Sequence, residues 1–66
     1  MFANERRNKI YDLLKKNGTV TVNELTEILN TSAATIRSDL NQMEVQGLLI
    51  RTHGGDMIQE RELDLS

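Results

Sequence analysis

Sixty-six residues make one small domain, because chains of this length bury only roughly 60% of the surface their unfolded form exposes. With no cysteine, a single histidine (His53) and no apolar run near the ~20 residues that cross a bilayer, the chain offers no disulfide, no zinc cluster, no His pair for catalysis and no membrane span. The formal net charge of −2 is a poor match to a polyanionic partner, at least until its distribution is read.

Residues 4–17 read as a first helix. Ala3, Ile10, Leu13 and Leu14 gather on one side of a 3.6-residue wheel, with Phe2 at the edge; Glu5, Asn8, Lys9, Asp12, Lys15 and Lys16 fall on the other. Asn4 is the expected N-cap and Gly18 the expected stop, with Lys15 and Lys16 favouring the negative end of the helix dipole. Residues 19–21, "TVT", are β-branched and suit a short strand. Thr21 and Glu24 then form a capping box that opens a second helix, whose apolar stripe of Val22, Leu25, Ile28 and Leu29 carries it to about residue 29. Asn30 and Thr31 leave room only for a tight turn, and asparagine tolerates the left-handed conformation such turns use.

Ser32 is the expected N-cap of a third helix that runs to about residue 46, with Ile36, Leu40 and Met43 inward and Gly47 as its left-handed terminator. Residues 48–58, "LLIRTHGGDMI", are two β-capable segments around Gly54 and Gly55, a hairpin signal because primed turns need positive φ. Residues 59–66, "QERELDLS", read as an acidic linker. The order is helix, short strand, helix, tight turn, helix, hairpin. The fold class expected is therefore mostly α with a small β-hairpin, a winged helix-turn-helix of three helices plus a wing, over residues 1–58.

Charge follows the same division. Residues 1–55 hold seven Lys/Arg against six Asp/Glu, a net +1, whereas residues 56–66 hold four acids against Arg61, a net −3. The acidity sits in the tail, and the near-neutral body permits DNA binding without requiring it.

The stretch "TSAATIRSDL", residues 31–40, carries the chemistry. Its outward face is small and polar (Ala34, Ser38, then Asn41 and Gln42), flanked by Thr35 and Arg37, with no carboxylate in the first two turns. A helix entering a major groove ~12 Å wide needs a slim N-terminal end. Ser32, Thr35 and the N–H groups of the helix start suit phosphate oxygens; Arg37 and Asn41 are of the types that read guanine and adenine edges; Ala33 or Ala34 suits a thymine methyl. The plain alternative is a helix start chosen for capping and propensity alone. Asp39 falls at the core edge, where an ion pair or cap is the expected role, and Val45 is expected on the surface. On the hairpin, Arg51 and His53 alternate onto one face. Either they meet the phosphate backbone or a minor groove, or Arg51 is solvated and His53 pairs with Asp56.

"TIRSDL" at 35–40 followed by "RTHGG" at 51–55, within "GTVTVNELTEILNTSAATIRSDL" and "GLLIRTHGGD", resembles the N-terminal winged helix-turn-helix of the DeoR family of bacterial transcription regulators. The resemblance spans about residues 5–57. It implies a cytoplasmic repressor of sugar-metabolism genes that binds a duplex DNA operator through Ser32, Thr35, Arg37, Arg51, His53, Gly54 and Gly55. It further implies a C-terminal effector domain, beyond the linker at 59–66 and absent from these residues, which binds a sugar phosphate and carries homo-oligomerisation; no cofactor is expected in the chain itself. The chain departs from the family at Ser38, where a second basic residue is usual, at Thr31, which replaces a common Val, and at Asn30, which replaces a common Gly. No nucleophile–base pair or metal cluster supports an enzyme. The rival reading is a winged-helix protein-interaction module without DNA binding, since fold alone does not fix function.

Overall fold

The computed structural model describes residues 2–52 and 57–60. Along the described residues, helix α1 (Ala3–Asn17), strand β1 (Thr19–Thr21), helices α2 (Val22–Leu29) and α3 (Ala33–Val45), and strands β2 (Leu49–Thr52) and β3 (Met57–Glu60) follow in that order. The winged helix-turn-helix expected from the sequence is the fold observed.

The helix ends follow local chemistry. Thr21 Oγ1 accepts from the Glu24 N–H at 3.2 Å, and Asn30 closes α2 in the left-handed region at φ 50°, ψ 52°. α3 ends in a Schellman arrangement: Gly47, at φ 79°, donates to the Glu44 carbonyl at 2.9 Å, and Leu48 donates to that of Met43 at 3.0 Å. The start of α1 differs from expectation. Phe2, not Asn4, is the N-cap; it has no side-chain cap bond, and its extended backbone lets its carbonyl accept from the Arg6 N–H at 3.0 Å, two residues earlier than the side-chain pattern suggests.

The core is built from every element. Ile10 and Leu14 of α1, Val20 of β1, Val22, Leu25 and Leu29 of α2, Ile36, Leu40 and Met43 of α3, Leu49 of β2 and Ile58 of β3 form one cluster. Ile28 was expected in the α2 stripe but is 56% exposed. An eight-residue helix packed on one side buries a narrow arc, and Val22, Leu25 and Leu29 fill it.

The sheet has a topology that local pattern does not reveal. Its order is β1-β3-β2, antiparallel throughout, so the last strand among the described residues is the central one. Val20 pairs with Ile58, and Ile58 with Arg51. Gln59 and Glu60, read from the sequence as the start of a linker, are strand residues opposite Thr19, Ile50 and Leu49, and the Glu60 N–H donates to the Gly18 carbonyl at 3.1 Å. The wing is thus sewn into the body by its second strand. The turn expected at Gly54 and Gly55, and His53 before it, lie outside the described residues.

Candidate nucleic-acid interface

α3 presents the surface its sequence implies. The Ser32 hydroxyl accepts from the Thr35 N–H at 3.3 Å and donates to Thr35 Oγ1 at 2.9 Å, so the cap locks the first turn. One proton serves the bond between the two hydroxyls, which leaves the pair one proton for another acceptor. Ala33 and Ala34, at the first two helical positions, have N–H groups with no carbonyl one turn back to receive them. Ile36, Leu40 and Met43 are buried, and Ser32, Ala34, Arg37, Ser38, Asn41 and Gln42 are exposed. The two alanines separate here: Ala34 faces out, whereas Ala33 is half-buried against the core. Only Ala34 remains available for a thymine methyl.

Arg37 lines a shallow groove with Thr21, Val22 and Asn23 at the start of α2. The exposed Asn23 therefore joins the surface around the guanidinium, although nothing in its local sequence marks it. The capping box at residues 21–24 locates a helix start; only the turn at Asn30 brings that start beside α3.

Arg51 is turned onto the recognition helix. Its Nη1 donates to Asn41 Oδ1, and its main-chain N–H donates to Glu44 Oε2 at 3.3 Å. The reason is register. Leu49 is buried, and a strand alternates, so Arg51 two residues on shares the face of β2 that packs on α3. Two residues read separately as groove reader and backbone contact form one hydrogen-bonded unit. His53, expected on the same face, lies outside the described residues.

Asp39 points the other way. It is 2% exposed, and its carboxylate accepts from Arg6 Nε, from Arg6 Nη2 at 3.0 Å and from Arg7 Nε at 3.3 Å. Its hydrogen bond to Asp39 raises the pKa of Arg6 above the ordinary arginine value; desolvation opposes this and the Coulombic attraction adds to it. A raised cation pKa stabilises the fold fully below the unfolded value and ceases to do so only as pH climbs past the folded one, far above neutrality. Two of the cations in the near-neutral body are therefore committed to fixing α3 on α1. Lys15 is also engaged internally, at 3.9 Å from Glu60 and with its ammonium 5.2 Å from the Tyr11 ring centre, beyond the dipole role read from sequence.

Residues 6–62 match the family model described as the DeoR-like helix-turn-helix domain. The chain belongs to that family. This DeoR-type domain is 45% identical over 62 residues to the HTH-type transcriptional regulator GolR of Listeria innocua, covering 94% of this chain and 24% of that protein. It is 47% identical over 55 residues to the lactose phosphotransferase system repressor of Lactococcus lactis, covering 83% and 22% of the two. It is 49% identical over 51 residues to a putative galactitol utilization operon repressor of Escherichia coli K12, covering 77% and 46%. The chain thus spans from under a quarter to under half the length of these relatives. No solved structure matches it. The relatives are named as regulators and repressors, and no helix among the described residues is long and apolar enough to cross a membrane. The DeoR-type fold and its DNA-binding helix-turn-helix are those that "TIRSDL" and "RTHGG" imply.

Proposed function

We propose that this domain docks α3 in the major groove of an operator and β2–β3 beside it, in a cytoplasmic protein that represses sugar-metabolism genes. The observation that carries this is the exposed face of α3. From Ser32 to Gln42 it holds hydroxyls, an alanine, two amides and Arg37, while Asp39, the one carboxylate in that span, is turned inward and neutralised. Ser32 and Thr35 contact phosphate with the helix N–H groups, Arg37 reads a base edge, and Ala34 meets a thymine methyl. Ser38 adds a neutral contact where a cation is usual in the family, so fewer phosphates are neutralised. The chain acts by binding, not by catalysis. A sugar phosphate held by a C-terminal domain is the effector under this reading, and that domain joins the copies.

The test is salt dependence. The 66-residue chain should bind random duplex in the non-specific range of roughly 10⁻⁴–10⁻⁶ M at physiological salt, with log K falling linearly against log salt. Joining two copies through an unrelated dimeric carrier makes the second contact intramolecular and should tighten operator binding by ~10²–10⁴. A folded chain with no detectable interaction at ~50 mM salt would instead favour the protein-interaction role.

A further inference from the structure

Asn41 and Arg51 lie on different elements, ten residues apart, and meet across the junction between α3 and the wing. Arginine has only donors, so the atom of Asn41 that receives its Nη1 must be the carbonyl oxygen, whichever way the amide is drawn. The amide nitrogen, with its two N–H donors, is then the end of Asn41 left for anything beyond the pair. The remaining lone pair of Oδ1 sits beside a cation, whose field repels the N–H dipole of an incoming donor. Glu44, the nearby carboxylate, is tied to the strand by the Arg51 main-chain N–H at 3.3 Å. Asn41 is exposed, on the same outward side of α3 as Ser38 and Ala34.

We infer that Asn41, its carbonyl held by Arg51, reads DNA as a donor only, specific for the two adjacent acceptors of a guanine edge, and does not read adenine. This rests on the operator-binding reading above. Bidentate reading of adenine needs one donor for N7 and one acceptor for the N6 amino group. Arg51 occupies that acceptor. Guanine offers N7 and O6, both acceptors, side by side in the major groove, which suits a reader that can only donate. The wing thereby sets the specificity of the recognition helix without itself being a groove element. Removing Arg51 frees the Asn41 carbonyl and restores the donor–acceptor pattern that fits adenine.

The experiment is selection from a random duplex library with the chain joined to a dimeric coiled coil, run in parallel for wild type, Asn41→Ala, Arg51→Ala and Arg51→Lys. The base pair whose preference Asn41→Ala flattens identifies the contact. There, wild type should enrich G·C by roughly 5- to 150-fold, and Arg51→Lys, which keeps a donor on a long stem, should retain it. Arg51→Ala should shift the same position toward A·T. Thermal unfolding of each variant confirms that the fold is intact. An A·T preference in wild type at that position overturns the inference, as does an equal loss of affinity for all sequences in both alanine variants. Failure of wild type to enrich any sequence would instead defeat the operator-binding reading, and this inference with it.

Discussion

Arg6 and Asp39, thirty-three residues apart, form a two-point ion pair that joins the first turn of α1 to the middle of α3. Arg7 approaches the same carboxylate at 3.3 Å. Asp39 thus sits between two guanidinium groups on the inner side of the recognition helix, with its charge compensated. Continuum reasoning makes such a pair a weak source of net stability, but breaking it strands a buried charge. Its consequence is geometric: α3 is held against α1 at one rotation, with its small polar face outward.

Replacing Asp39 with alanine should therefore be costly. The side chains of Arg6 and Arg7 keep 15% and 26% of their exposure and can recover some hydration, which puts the loss near the lower end of the ~3–5 kcal/mol seen when one partner of a buried pair is removed. Urea unfolding measures it. Arg6→Ala should cost more than Arg7→Ala, because Arg6 makes two of the three contacts. Equal and negligible effects of all three would show that the pair does not fix the helix.

Ile58 is fully buried at the centre of the sheet, between Val20 and Arg51. Ile58→Ala should destabilise the domain by about 2–5 kcal/mol, as for a core residue. An isolated wing would predict a small change in global unfolding, with DNA affinity lost first. Loss of the helical circular dichroism signal together with the sheet is the outcome expected here.

Gly18 adopts φ 81° at the end of α1, and an added Cβ would meet nothing within 4 Å. Gly18→Ala should still cost roughly 1–2 kcal/mol from backbone conformation alone, since L-residues resist positive φ. Gly18→Asn should cost less, because asparagine visits this half of the map more readily. Thermal melts of the two variants separate backbone strain from packing, as packing predicts that the larger side chain is worse.

Arg37→Ala should weaken operator binding by ~1–3 kcal/mol and relax preference at one base pair, while leaving binding to random duplex nearly unchanged. Titrations against both DNAs decide the matter. Equal losses on the two would reassign Arg37, beside Asn23 and Thr21 at the α2 start, to a phosphate contact.

The elements and most of their ends were legible in the residues alone. Capping at Thr21 and Ser32, left-handed Asn30 and Gly47, and the inward stripe Ile36, Leu40 and Met43 depend on interactions within a few residues, which periodicity and side-chain chemistry record directly. The outward face of α3 was legible for the same reason: whatever the stripe buries, the opposite side must expose. Asp39 was legible as a core-edge residue with an ion pair or a cap as its role; its partners were not, because Arg6 and Arg7 lie on another helix and look like any surface cations. The placement of β3 between β1 and β2, the exposure of Ile28 and the engagement of the Asn41 carbonyl by Arg51 came instead from packing. Each depends on which elements pack together and in what register. A strand's pairing partners and a polar side chain's remaining hydrogen-bonding capacity are properties of neighbours distant in the chain, and no local pattern encodes them.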